Sequence, residues 1–178
     1  MKLGSLIARV LVGGLFVGHG TQKLFGWFGG HGPEGTGQFF ESAGIRPGRR
    51  QAIAAGASEA GGGVLLAAGL LTPLAAASIS GVMITAIRTV HAEKGVWVME
   101  GGFEYNATLL ALLFLLTEVG PGPWSLDAAL GIEAKGTVWA LAQLAAGAAG
   151  STAAMARAKA EEQAEQATRT REPAGAAA

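Results

Sequence analysis

Apolar residues along this chain are gathered into blocks rather than spread evenly. A membrane span needs about 20 mostly apolar residues, with about 17 as the lower end. Four blocks reach that length: residues 3–24, 51–71, 74–90 and 103–119, the last with the core ATLLALLFLL. None carries the polar stripe of a soluble amphipathic helix. A cleaved signal peptide over 1–20 is disfavoured, because Arg9 interrupts the apolar run and no A-x-A site follows. The pattern predicts an all-α polytopic membrane protein, an antiparallel four-helix transmembrane bundle in a lipid bilayer.

The connections differ in character. Residues 25–50 are glycine-rich at first, then hold a short helical stretch (GQFFESAGI), then turn basic (RPGRR). Thr72-Pro73 is nearly all that separates the second and third blocks, and proline suits a first helical turn. HAEKGVWVMEGG leads into the fourth block, and GPGPW ends it. This divides the chain into a membrane domain over 1–132, an alanine-rich helix over 133–156, and a charged tail over 157–178. Residues 137–156 are too weakly apolar to decide between a fifth span, a surface helix and a soluble helix. The tail lacks core residues and reads as a frayed helix or disordered.

Composition narrows the chemistry. Lys+Arg and Asp+Glu are equal at 13 each, and no basic stripe or nucleic-acid motif occurs, so no nucleic-acid partner is expected. The chain has no cysteine, which excludes thiol catalysis and cysteine-ligated metal. No H-E-x-x-H zinc pattern or phosphate-cradling glycine motif is present. The expectation is no intrinsic cofactor and no metal, with a quinone as the one candidate ligand of cofactor type.

Ionisable residues inside a span are costly and usually face the bundle interior with a partner. At about 1.5 Å per residue, His19 and Lys23 lie roughly 7 and 13 Å from the middle of the first span, toward the first connection. Glu59 lies about 3 Å from the middle of the second, Arg88 and His91 about 9 and 13 Å from that of the third, and Glu104 about 12 Å from that of the fourth. All six fall in the same half of the bundle, a polar mouth. Gln22, Trp27 and Tyr105 stand beside them as secondary candidates. Arg9 lies about 7 Å into the other half. Each has a bland alternative. Lys23 can snorkel, Arg88, His91 and Glu104 can complement helix dipoles, and Trp27 and Trp97 can anchor at the lipid interface. Glu59 is the hardest to set aside, since a carboxylate near mid-membrane must be paired or protonated. Gly14-xxx-Gly18 is the small-residue pair expected to let helices approach closely.

Three stretches, HGTQKLFGWFGGHGPEGT, SEAGGGVLLAAGLLTPLAAASISGVMITAI and GGFEYNATLLALLFLLTEVGPGPWSLDAALG, resemble the DoxX family of bacterial membrane proteins. The likeness runs through roughly 3–132, and the region beyond about 136 looks like an extension. It implies a multi-pass, four-helix protein of the bacterial cytoplasmic (inner) membrane. The group includes DoxD-like subunits associated with thiosulfate:quinone oxidation and DoxX-type proteins linked to thiol and oxidative-stress systems. His19, Gln22, Lys23, Glu59, Glu104 and Tyr105 fall in the resembling motifs, and the resemblance carries no catalytic assignment for them.

Three functions compete. The first is a redox-linked subunit binding a quinone-like or small sulfur-containing ligand at the polar mouth. His19 or His91 would exchange protons, Lys23 or Arg88 would stabilise a developing anion, and Glu59 would relay protons. Electrons would come from a partner or a bound reductant. The second is a non-enzymatic scaffold docking soluble redox or stress-response partners. The third is a small-solute or proton transporter, for which Arg9 is the only hint of a through-route.

Overall fold

The structure, a computed structural model, describes residues 3–171, apart from the side chains of 165 and 169–171. Residues 1–2 and the last part of the charged tail, residues 172–178, lie outside the described residues. Those described are all helix and connection, with no strand. The helices are α1 (Leu3–Phe25), α2 (Gly32–Ser42), α3 (Gly48–Ala68), α4 (Thr72–Ala86), α5 (Glu104–Val119), α6 (Leu126–Leu130) and α7 (Thr137–Arg171).

Side-chain partners fix the directions. Gly13 lies against Gly63 and Gly20 against Gly56, so α1 and α3 are antiparallel. Ser78 bonds the Ser58 carbonyl across the α3–α4 hairpin. Ser80 meets Gln143 and Thr85 meets Ser151, so α4 and α7 run parallel. The end of α5 meets the start of α7 through Glu118 and Thr137. The long helices therefore run up and down in alternation, with α7 seated on α4 and α5. The core is apolar and central, built from Val12, Phe16, Leu66, Ile79, Leu113 and Leu116.

Two sequence expectations change here. The close approach of α1 to α3 runs through Gly13 and Gly20, not Gly14 and Gly18. A Cβ at Gly13 would lie 2.5 Å from the Gly63 carbonyl oxygen, while Gly14 and Gly18 have nothing within 4 Å. Gly13/Gly20 and Gly56/Gly63 are each seven apart, the repeat of a long shallow crossing, whereas a four-residue pair belongs to a steeper one. The alanine-rich stretch also resolves. Residues 137–171 form one continuous helix whose Ala140, Gln143, Gly147, Ser151 and Ala158 are buried on the bundle.

Two helical stretches, Leu3–Phe25 and Thr72–Lys94, each 23 residues, are long and apolar enough to cross a membrane. The second and fourth apolar blocks are helical too. However, α3 is diluted by glycine, serine and Glu59, and α5 has only 16 residues. The outer surface bears Leu3, Ile7, Leu11, Leu15, Leu74 and Leu141, all exposed. Exposed aromatics mark both ends: Phe25, Trp27, Phe28 and Trp97 at one, Trp124 and Trp139 at the other. Apolar flanks between aromatic girdles are what a bilayer requires.

Candidate functional site

The far end of the bundle is a polar knot. Arg9, 0% exposed, sends Nε to the Pro121 carbonyl at 2.9 Å, Nη1 to those of Leu66 and Ala67 at 3.3 and 2.8 Å, and Nη2 to that of Trp124 at 2.8 Å. The guanidinium thus satisfies carbonyls left over at the end of α3 and in the turn after α5. Asp127 does the reverse job. Its carboxylate accepts from the Leu71 and Thr72 amides at 2.7 and 3.0 Å and from the Thr72 hydroxyl at 2.8 Å, capping α4 from a distance. Arg9 is therefore a brace between helix ends, bonded through its guanidinium to main-chain carbonyls.

At the mouth end the helices separate around a cleft of about 1430 Å³. His19, Lys23, Glu59, Arg88, His91 and Tyr105 line it, while Glu104, Gln22, Trp27 and Arg9 do not. Lys23 Nζ donates to Glu59 Oε2 at 2.6 Å. Glu59 is only 2% exposed, because Gly56, Gly62 and Gly63 on its own helix bring α1 and α4 close around it. The ammonium that neutralises it comes from the last turn of α1, four residues beyond His19.

A π-helical turn over Ile87–His91 follows α4 and presents Arg88 and His91. Such turns recur at functional sites because they re-aim side chains at little cost elsewhere in the helix. Arg88 Nη1 donates to Thr152 Oγ1 at 3.1 Å and reaches Ser151 Oγ at 3.5 Å. Thr85 Oγ1 donates to the Gly81 carbonyl at 2.8 Å and lies 2.9 Å from the same Ser151 hydroxyl, from which it can accept. No ion pair is recorded for Arg88 among the described residues. His91 Nδ1 lies 2.6 Å from the Gly101 carbonyl, which only accepts, so Nδ1 carries the proton and Nε2 is the nitrogen left to exchange one.

The other candidates have local roles. Gln22 sits 3.2 Å from His19 Nδ1 and donates to the Phe28 carbonyl at 3.3 Å, tying the flap to α1. Trp27 packs its ring against Phe25 and stays exposed. Glu104 occupies the first turn of α5. His31 is exposed just before α2. Between α2 and α3, Arg49 hydrogen-bonds Glu34 at 2.8 Å and holds its carboxyl below the usual carboxylate range.

Sequence reasoning missed Asp127, the Thr85–Ser151–Thr152 hydroxyls and the Phe39–Phe40 wall of the cleft. Asp127 had a signal, the Ser-Leu-Asp that starts a helix straight after a turn. The hydroxyls of α7 had none, since their partner helix was unknown.

The DoxX family profile matches residues 4–92. The chain belongs to the DoxX family. It is 34% identical over 116 residues to the Bacillus subtilis (strain 168) protein named "Putative oxidoreductase CatD", covering 65% of this chain and 80% of that one. It is 30% identical over 125 residues to "Inner membrane protein YqjF" of Escherichia coli (strain K12), covering 70% of this chain and 90% of YqjF. No solved structure matches. DoxX membership agrees with the apolar flanks and aromatic ends in marking a membrane protein. The matched segment holds five of the six charged and histidine positions expected at the mouth, from His19 to His91, and leaves out Glu104 and all of α7.

Proposed function

We propose that this DoxX-family chain is a multi-pass protein of the bacterial inner membrane whose cleft binds a quinone-like ligand in a redox-linked role. The observation that carries the reading is the cleft itself. It joins a mostly apolar wall to one buried ion pair, an arginine with no ion-pair partner among the described residues, two histidines and the charged side chains of Glu93, Lys159 and Glu162, all at one end. Apolar pockets with a few convergent polar groups are the usual form of small-molecule sites. A volume of about 1430 Å³ exceeds the roughly 300–1,000 Å³ typical for drug-sized ligands and suits an amphiphile with a chain. It is far larger than a small sulfur compound needs. The oxidoreductase name of CatD and the inner-membrane name of YqjF point the same way.

A quinone supplies two-electron, two-proton chemistry when bound. The residues of this chain would orient its ring and manage protons. Lys23 Nζ has donors beyond the one given to Glu59, and one of them can meet a carbonyl oxygen. Arg88 Nη groups can stabilise charge developing on a second oxygen. His91 Nε2 can pass a proton, with its orientation held by the Gly101 carbonyl. Electrons enter from a partner protein or a bound reductant.

Positive charges favour the cytoplasmic side. Arg46, Arg49, Arg50 and Lys94 all lie at the mouth end, so the mouth faces the cytoplasm. The scaffold reading has one observation in its favour. Helix α7 has 35 residues, about 52 Å, against a hydrocarbon core of about 30 Å, so roughly 20 Å of it stands clear of the bilayer. A soluble partner has a handle there. The test is binding of a short-chain quinone to the protein in nanodiscs, with Lys23→Met and Arg88→Gln as comparison. Saturable binding weakened by both substitutions supports the proposal, and no saturable binding refutes it.

A further inference from the structure

The cleft carries charge at one end only. Lys23, Glu59, Arg88, His91, Lys159 and Glu162 lie at the mouth, with the hydroxyls of α7. Away from the mouth the wall is mostly apolar, Val12, Leu15, Leu74, Ala77, Val82 and Leu109, interrupted by Ser78, whose hydroxyl bonds the Ser58 carbonyl. From Leu74 on α4 to Val90 on the π-helical turn that follows it is sixteen residues, about 24 Å at about 1.5 Å each. One leaflet of a hydrocarbon core about 30 Å thick is about 15 Å. The cleft is thus longer than a leaflet. It is also open sideways, with Leu15, Leu74, Ala146 and Gly150 exposed where lipid would lie.

We propose that the apolar reach of this cleft is a slot for the hydrocarbon chain of a membrane amphiphile, entered sideways from the bilayer, with the head held at the mouth and α7 setting the girth. The proposal rests on the cleft being a ligand site, as above, and adds where the chain goes and what limits it. A chain already in lipid gains no hydrophobic free energy by entering protein. Selection therefore depends on fit, and fit depends on the small residues of α7. Gly147 must be small to meet Gly81, but Ala146 and Gly150 face the open cleft. A Cβ at Gly150 would meet nothing within 4 Å. Side chains as small as these, in a helix otherwise free to carry leucine, keep the slot open.

The experiment uses the full chain in nanodiscs and two photoreactive probes with a diazirine at the chain terminus, one a fatty acid and one a quinone. A third probe, a quinone with its diazirine next to the ring, reports the head. Adducts are located by peptide mass spectrometry. The slot predicts that a terminal diazirine marks the segments around Leu74–Val82 and Ala146. Ala146→Phe should cut this labelling by about ten-fold, at the low end of what an overpacked side chain imposes, while head labelling near Lys23 and Arg88 persists. Ala146→Leu, a smaller addition at the same exposed position, is the second variant and should lower the labelling in the same direction without loss of fold. Terminal labelling confined to Ile7, Leu11 and Leu141 in the unaltered chain, or unchanged in both variants, overturns the slot. A cross-link from a cysteine at Ala146 to a second protein chain, with no probe adduct in the cleft, also overturns it. The two readings separate cleanly. Equal terminal labelling by the fatty acid, with no preference for the quinone, keeps the slot and removes the quinone. Head labelling without terminal labelling does the opposite.

Discussion

Removing Lys23 should harm the protein more than removing Lys23 and Glu59 together. The two side chains meet at 2.6 Å, with Glu59 3% and Lys23 21% exposed at the side chain. At an effective dielectric of about 20, the gross attraction at such a distance is about 6 kcal/mol. Most of it offsets the desolvation of the carboxylate, so the net value of the pair is small. Lys23→Met leaves a buried carboxylate without its cation, which costs about 3–5 kcal/mol. Glu59→Gln leaves the ammonium with 21% exposure and a route to water, so it costs less, about 1–3 kcal/mol. The double variant leaves no orphaned charge and should lie within about 1.5 kcal/mol of the unaltered chain. The assay is a double-mutant cycle on unfolding in mixed detergent micelles, read by helix content. A coupling of at least about 2 kcal/mol, with the double variant more stable than Lys23→Met alone, is the expected result. Additive single effects below about 1 kcal/mol would sink the argument that Glu59 is buried and held by Lys23.

Three further outcomes follow from the geometry. Gly13→Ala should lower stability by about 1–3 kcal/mol through overpacking against α3, whereas Gly14→Ala, one residue away, should be neutral or slightly stabilising; thermal unfolding of the pair separates them. Arg9→Lys should fail to rescue Arg9→Ala, because an ammonium cannot reach carbonyls in three directions as the planar guanidinium does; each charged hydrogen bond lost costs about 1.5–3 kcal/mol, and accumulation in membranes reads the loss. In this cysteine-free chain a single cysteine at Glu162 should react with a membrane-impermeant maleimide only after the cells are opened, and one at Glu133 without opening them. The reverse pattern would invert the orientation and place the mouth outside.

Much of the site was legible because each piece depends on distance along one helix. His19 and Lys23 are one turn apart, Arg88 and His91 likewise, and depth from a helix centre is simple arithmetic. Antiparallel order then puts their ends together, and the cleft gathers His19, Lys23, Glu59, Arg88 and His91. Glu104 escapes the same arithmetic. Depth says nothing about azimuth, and the first turn of α5 carries Glu104 off the cleft while Tyr105 lines it. Arg9 escapes for a different reason. Its partners are main-chain carbonyls, and these carry no residue signature.

By itself the sequence determined an all-helical chain and how far along its own helix each ionisable residue sits, since these follow from hydropathy and rise per residue. Only the tertiary structure decided which faces meet. Gly13 rather than Gly14 touches α3, because crossing angle and azimuth select the contact and a glycine pattern does not state them. Helix α7 belongs to the bundle although its hydropathy is weak, because small residues let its backbone reach α4, and close packing replaces apolar bulk. The shape of the cleft also depends on that seat. Its polar end could be placed by counting along four helices, but its length, its open side and its girth exist only once α7 is laid against α4.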